Sequence, residues 1–360
     1  MVDNNKTRVV VGLSGGVDSS AAASLLVEQG YDVVGITLKV WPQDCVARAE
    51  DKCCGPQAVM DARSVADKLD FPYYLVDESR EFQRDVIDYF AAEYKAGRTP
   101  NPCVMCNEKL KFGNLIDRAR KLGAEYVATG HYARLEKRNG RTVMLRGRDA
   151  RKDQTYFLFS LGQEQLAHMK FPLGNLQKSE TREVARCVSL KTPEKQESQE
   201  ICFVPDKDYK KFLTKAGLVE EHRGEIVDTR GQVLGHHDGI EFYTIGQRKG
   251  LGLSSPTPLY VVELDPENNR VVVGEEGLLL RDEFEIDRCN WIAFERLAKP
   301  IEAAAAIRYN HPGTEATVVP GGNGRATVKL REPQRAVTPG QACVFYQDDL
   351  VVGGGWIMRD

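Results

Sequence analysis

Two groups of residues in this sequence have types and spacings suited to chemistry. The first is Val9-Val10-Val11-Gly12-Leu13-Ser14-Gly15-Gly16-Val17-Asp18-Ser19-Ser20. Three β-branched residues predict a buried strand. Ser14-Gly15-Gly16 predicts a tight turn, where glycine permits positive φ and close approach of backbone to a ligand. Asp18, Ser19 and Ser20 can cap a helix running to Gly30. A strand, a small-residue turn and a helix N-terminus in that order make an anion site. The lysine of a Walker loop is missing, and the pattern is not G-x-G-x-x-G either. The second group is thiols. Cys103 and Cys106 lie in Arg98-Thr99-Pro100-Asn101-Pro102-Cys103-Val104-Met105-Cys106-Asn107. Two prolines stiffen this stretch, and Asn107 can cap the helix that follows. A thiol beside a helix N-terminus has its thiolate stabilised, which favours Cys106 as a nucleophile. C-x-x-C also fits half of a structural zinc site, but no second C-x-x-C completes it. Cys53 and Cys54 are adjacent, whereas Cys187, Cys202, Cys289 and Cys343 stand alone. Cys202 has apolar flanks compatible with packing and a polar approach over 195–200 that predicts exposure. Cys187 is expected in the core.

The surrounding pattern must position these groups. Strands are predicted over 32–38, 72–77 and 125–129, and helices over 56–69, 79–95, 107–122 and 180–188. Such alternation argues for an α/β domain built on a mainly parallel sheet, whose ligands bind outside the carboxyl ends of the strands. Ser14, Leu38 and Gly130 all follow or end predicted strands, so one crevice can gather them. Asn139-Gly140 signals a hairpin. After about residue 205 the register changes. One more helical stretch, 206–216, is followed by short strands, among them a hairpin of 259–265 with 270–274. From about 284, short strands with Gly and Pro turns predict a small antiparallel barrel. The expected domains are therefore 1–205, 206–280 and 281–360.

Composition sets limits. Hydrophobic residues are 42% and charged residues 28% of 360, with a net charge of −3. No global basic field is present, so a nucleic-acid site must be a local patch. No apolar run approaches a membrane span and the first eight residues lack a signal-peptide core, so a cytoplasmic protein with no membrane partner is expected. The nine cysteines are then expected as thiols, ligands or catalysts rather than a disulfide framework.

The Ser-Gly-Gly-Val-Asp-Ser-Ser loop resembles that of the ATP pyrophosphatase (PP-loop) superfamily. Further motifs follow in order: Asp61-Ala62-Arg63, Thr99-Pro100-Asn101-Pro102 before Cys106-Asn107, Thr129-Gly130-His131-Tyr132, Lys152-Asp153-Gln154, Ile201-Cys202-Phe203, and Gly246-Gln247-Arg248-Lys249-Gly250-Leu251-Gly252. Together, over essentially the whole chain, they resemble the tRNA 2-thiouridylase (MnmA/TrmU) family. That resemblance implies a Rossmann-like PP-loop domain, a small mixed linking domain and a C-terminal antiparallel β-barrel. It implies sulfur insertion at C2 of the wobble uridine of tRNA, with ATP and Mg²⁺ adenylating the C2 oxygen. Gly12, Leu13, Ser14, Gly15, Gly16, Val17, Asp18, Ser19, Leu38 and Gly130 would hold ATP. Cys202 would carry a persulfide, supplied by a cysteine desulfurase or sulfur-relay protein, and Cys106 would be the second catalytic thiol. Two cysteines so far apart in sequence must meet over one base, which implies movement of the Cys202 segment on tRNA docking.

Asn101, Pro102 and Cys103 match the family's target-base segment, with a departure: many members have aspartate where this chain has Cys103. A thiol, with a reference pKa near ~8.5 against ~3.9, does not replace a carboxylate base. Cys103 is then expected either to contact the base or to act as an auxiliary thiol, with His131 or water moving protons. Alternatively Cys103, Cys106 and Cys202 are three ligands of a [4Fe–4S] cluster that leaves one iron open to sulfur. Lys152, Asp153, Gln154, Arg308, Tyr309 and Gln341 match family tRNA contacts. Lys152 to Gln154 close a stretch holding Arg141, Arg146, Arg148 and Arg151, whose alternative reading is a solvated hairpin face. Two other classes remain as rivals. A PP-loop ligase for a small molecule would explain the loop but not the thiols. A zinc-dependent RNA-binding protein would explain the thiols but not the loop.

Overall fold

The computed structural model describes residues 6–40, 55–188, 201–204 and 208–359. Cys53, Cys54 and the polar approach to Cys202 lie outside the described residues. The chain divides into two compact units. The first comprises Met1–Val86, Cys103–Cys202 and Asp349–Val351; the second comprises Ile87–Pro102, Phe203–Asp348 and Val352–Asp360. Among the described residues no helix is long and apolar enough to cross a membrane.

The first unit is built on a five-stranded sheet. Its strands are β1 (Arg8–Gly12), β2 (Asp32–Lys39), β3 (Tyr73–Asp77), β4 (Tyr126–Ala128) and β7 (Met169–Lys170), in the order β3-β2-β1-β4-β7. Every pairing is parallel. Val9, Val10 and Val11 at its centre are fully buried, as a three-residue β-branched run requires when both faces of a strand are covered. Helices α1 (Val17–Glu28) and α2 (Pro56–Lys68) follow β1 and precede β3. The hairpin β5 (Ala133–Arg138) and β6 (Arg141–Arg146) turns on Asn139 and Gly140, both at positive φ, the geometry of a two-residue primed turn.

Two helical runs are longer than their regular parts. Over 79–95, α3 (Ser79–Phe82) and α4 (Asp88–Lys95) are joined by π-helical turns at Gln83–Ile87. Over 102–121, α5 (Pro102–Met105) and α6 (Leu115–Lys121) are joined by Cys106–Asn114, also π-helical. The second run starts five residues before the expected Asn107. Pro102 occupies the first helical turn, where its missing N–H costs nothing. Asn107 therefore does not cap a helix; it lies inside one, and its Nδ2 donates to the Phe157 carbonyl at 3.0 Å. Helices α7 (Gln163–Ala167) and α8 (Lys178–Val188) complete the unit. Cys187 on α8 is exposed rather than in the core, because α8 turns Ala185 and Thr181 inward instead.

The second unit holds α9 (Tyr209–Lys215) and a small mixed sheet in the order β10-β11-β8-β9. Its strands are β8 (Gly224–Asp228), β9 (Val233–His237), β10 (Tyr260–Asp265) and β11 (Arg270–Gly274). The β10–β11 hairpin is antiparallel as expected, while β11 pairs β8 in parallel. Six further strands close a barrel: β12 (Leu280–Trp291), β13 (Ile301–Ala306), β14 (Thr314–Gly322), β15 (Arg325–Arg335), β16 (Ala342–Gln347) and β17 (Leu350–Ile357). Pairing of β12 with β17 closes it. Alternate residues such as Ala303, Ala305, Ala316, Val318, Ala326 and Val328 fill its interior, as period-two patterning demands. The Rossmann-like parallel sheet, mixed sheet and antiparallel barrel thus follow in the expected order.

Candidate functional site

The loop after β1 is held on three sides. Leu13 N–H donates to the Ile36 carbonyl at 2.8 Å, and Thr37 Oγ1 donates to the Leu13 carbonyl at 2.7 Å. Tyr73 supports Thr37 from behind at 2.8 Å. Ser14 N–H donates to Ser19 Oγ at 3.2 Å, and the hydroxyls of Ser19 and Ser20 donate to the Gly16 carbonyl. Gly15 has φ +67°, and a Cβ there would stand 2.2 Å from the Ala58 carbonyl oxygen on α2. Only glycine fits that turn.

Helix α1 begins at Val17 after an extended Gly16, with no side-chain cap. Asp18, Ser19 and Ser20 are thus not caps but first-turn residues. The uncapped amides lack intrahelical acceptors and carry the positive end of the dipole, which suits a phosphate. Gly130, after β4, lies against this turn: a Cβ on it would stand 2.7 Å from the Asp18 carbonyl carbon. Gly12 ends β1, and Leu38 on β2 is half-buried. Leu38, Gly130 and the loop all lie at carboxyl ends of neighbouring strands.

A cation missing from the loop's own sequence arrives from α8. Lys178 Nζ lies 2.6 Å from Asp18 Oδ1, with a side chain only 10% exposed. Tyr132 donates its hydroxyl to the same oxygen at 2.9 Å and lies 3.0 Å from Thr181 Oγ1. Lys178 has no signal in the sequence beyond opening a helix; Tyr132 ends the Thr129-Gly130-His131-Tyr132 motif. The residues expected as RNA contacts support this constellation. Gln154 Oε1 accepts from Tyr132 N–H, and Gln154 N–H donates to the Tyr132 carbonyl, both at 3.1 Å. Buried Asp153 accepts from the amides of Gly147 and Thr155, from Thr155 Oγ1 and from Arg146. Burial still holds its carboxyl above the usual range. Asp149 accepts from Lys178 N–H and so fixes the start of α8. Lys152 is half-buried.

The basic stretch 141–152 is largely neutralised. Arg146 pairs with Asp153, Arg148 with Glu180 and Arg151 with Asp149. The local count missed this because Asp153 and Glu180 lie outside that window.

His131 is 9% exposed and packs between Phe112 and Phe171. Burial, with the Lys111 charge adding to it, holds its pKa well below the ordinary histidine value. It is neutral at physiological pH, with Thr129 Oγ1 2.6 Å from Nδ1.

Cys103 stands in the first turn of the 102–121 run and Cys106 in the second; both are half-buried, as is Cys202. The dipole therefore favours Cys103 more than Cys106. Phe203, next to Cys202, is buried edge-on against Phe90 and packs on Phe212. Among the described residues no three His, Cys, Asp or Glu are gathered to hold a metal ion. Cys103, Cys106 and Cys202 are all among the described residues and do not form such a group.

In the second unit, the loop leading to these thiols is fastened to the barrel. Gln341 Nε2 donates to the carbonyls of Thr99 and Pro100 at 3.0 and 3.1 Å, and Thr99 N–H donates to the Pro339 carbonyl. Asn101 and Pro102 are buried, while Arg308 and Tyr309 are exposed.

Family models match three consecutive stretches: a tRNA methyl transferase HUP domain at 7–206, its PRC-barrel domain at 210–275, and an aminomethyltransferase β-barrel domain at 281–357. The chain is 49% identical over 353 residues to the tRNA-specific 2-thiouridylase MnmA of Clostridium perfringens, covering 98% of both chains. It is 51% identical over 351 residues to that of Moorella thermoacetica, covering 97% of this chain and 98% of the relative. With that of Geobacter metallireducens it shares 49% over 362 residues, covering 99% of this chain and 98% of the relative. A glycine turn at an uncapped helix start, a lysine brought to it from α8, and half-buried thiols thus sit on a chain matched along nearly its whole length, and the chain belongs to the MnmA family of tRNA-specific 2-thiouridylases.

Proposed function

We propose that this chain 2-thiolates the wobble uridine of tRNA, using ATP to activate the base and a cysteine persulfide to supply sulfur. The observation that carries the reading is the constellation at the start of α1: uncapped amides, Ser14, and Lys178 held by Asp18 and Tyr132. It suits the pyrophosphate of ATP, whose charge grows as the bond between α- and β-phosphate breaks. Mg²⁺ accompanying ATP would neutralise part of that charge. The described residues offer no carboxylate cluster for it, so the phosphates would hold it, with Asp18 as the loop's own carboxylate.

In the first step the C2 oxygen attacks the α-phosphorus and pyrophosphate leaves. In the second, the outer sulfur of a Cys202 persulfide attacks C2, and the C2–O bond breaks as AMP departs with the oxygen. The Cys106 thiolate then attacks Cys202 Sγ; the S–S bond breaks and the outer sulfur stays on C2. A Cys106–Cys202 disulfide remains, which an external dithiol reduces before a sulfur-donor protein restores the persulfide. Placement of Cys103 in the first helical turn supports its role as an auxiliary thiol near the base. The domains divide the labour: 1–205 activates, while 206–280 and 281–360 hold tRNA, with Arg308 and Tyr309 at the RNA.

Asp18→Ala should abolish tRNA-stimulated ATP–pyrophosphate exchange while tRNA binding persists. Cys202→Ser should keep the exchange and yield no 2-thiouridine in nucleoside digests. Thiouridine formed at wild-type rate by Cys202→Ser would overturn the persulfide route.

A further inference from the structure

We propose that the loop 246–252 of the mixed-sheet region is a second contact for the tRNA backbone, with Arg248 and Lys249 as its phosphate ligands. The inference rests on the reading that Arg308 and Tyr309 meet tRNA, and extends that surface.

The loop is built rather than merely exposed. Gly246, Gly250 and Gly252 all have positive φ, at +85°, +77° and +67°. Gly246 N–H donates to the Val261 carbonyl and Val261 N–H to the Gln247 carbonyl, fastening the loop's first half to β10. Gln247 ties it internally: Oε1 accepts from Thr244 N–H at 3.2 Å and Nε2 donates to the Lys249 carbonyl at 2.9 Å. Arg248 and Lys249, the next two residues, are exposed. Among the described residues neither has an acidic partner, whereas Lys329, Arg331 and Arg335 on the barrel are each paired. A phosphate is the missing counter-charge.

One residue links this loop to Arg308. Arg335 Nη2 donates to the Gly246 carbonyl at 3.3 Å, and Arg335 is itself held over the Tyr260 ring and by Glu276. The Arg335 carbonyl accepts from Arg308 Nη1, also at 3.3 Å. Arg308 and the 246–252 loop are thus linked through one residue, Arg335, whose side chain bonds the loop and whose backbone carbonyl bonds Arg308. An open cavity of about 390 Å³ beside Arg248, backed by Leu251, Leu253, Pro256 and Pro258, leaves room for a ribose. Two cations without an acidic partner among the described residues, a braced backbone and continuity with an exposed Arg-Tyr pair fit a polyanion better than a protein face, whose centre is depleted of charge.

The test compares Arg248→Ala/Lys249→Ala with Arg308→Ala in the full-length enzyme, with circular dichroism to verify folding. For the double variant the expected result is a roughly tenfold higher tRNA Kd and a salt slope shallower by about 1.4 units, two phosphates' worth. KM for ATP should stay unchanged. If only Arg308→Ala weakens tRNA, the proposal is overturned and the barrel contact stands. If neither variant does, the RNA reading of this whole surface falls. If the double variant binds tRNA normally but slows thiolation from a donor protein and not from free sulfide, the loop serves a protein partner and the proposal is wrong.

Discussion

The chain carries two glycine-rich loops that use glycine for opposite ends. The loop at 14–19 turns inward. Its hydroxyls bond each other and its own carbonyls, and its cation is imported from α8, more than 150 residues away in sequence. The loop at 246–252 turns outward, keeps its two cations exposed, and imports only a brace from Arg335. The ligand proposed for the first is one small anion at a fixed place; that proposed for the second is a long, repetitive one that tolerates displacement. Glycine marks where backbone must bend or approach closely, and the ligand is decided by what surrounds the bend.

The largest effect that would sharpen this contrast is Gly15→Ala. A methyl group 2.2 Å from the Ala58 carbonyl, on a residue at positive φ, must displace loop or helix. Adenylation should fall at least ~100-fold, as when an oriented backbone donor is lost, while tRNA affinity is retained. Pyrophosphate exchange and filter binding measure the two separately. Equal retention of exchange would mean the loop does not hold the phosphates.

Next is Lys178→Gln, which removes the charge and keeps a polar side chain one atom shorter. Exchange should drop roughly 10²-fold, with tRNA affinity unchanged. A loss confined to thermal stability, with normal exchange in the folded fraction, would reduce Lys178 to a partner of Asp18.

The smallest effect is expected for Arg148→Ala. Its ion pair with Glu180 is exposed on both sides, and such pairs contribute about 0–1 kcal/mol. With its charge already answered, its loss should move tRNA affinity less than about twofold. A tenfold loss would instead make the 141–152 stretch the principal RNA contact and reverse the comparison with Arg248 and Lys249.

Local patterns were legible wherever one short stretch contained its own reason. Val9 to Val11 had to be a covered strand, Asn139-Gly140 a hairpin turn, and the alternation after residue 284 a barrel. Local reasoning misassigned Asp18 to Ser20 as caps and Asn107 as a helix start. In both places the first helical residue was set by backbone neighbours, Gly16 and Pro102, rather than by the nearest capping side chain. Cys187 followed a helical pattern but fell on the outer face of α8, a distinction that depends on what α8 packs against.

Residues adjacent along the chain were enough to specify the order of the layers, the glycine turn after the first strand, and the thiols beside a proline-stiffened stretch. Tertiary structure alone decided which charges remain available. Lys178 reaches Asp18 only because α8 packs on α1, and the carboxylates of Asp153 and Glu180 answer Arg146 at the end of β6 and Arg148 just beyond it only after folding. Gln341 holds the backbone before Cys103 from a barrel loop some 240 residues on. Coulombic and hydrogen-bond energies depend on distance in space, and separation along the chain does not encode that distance.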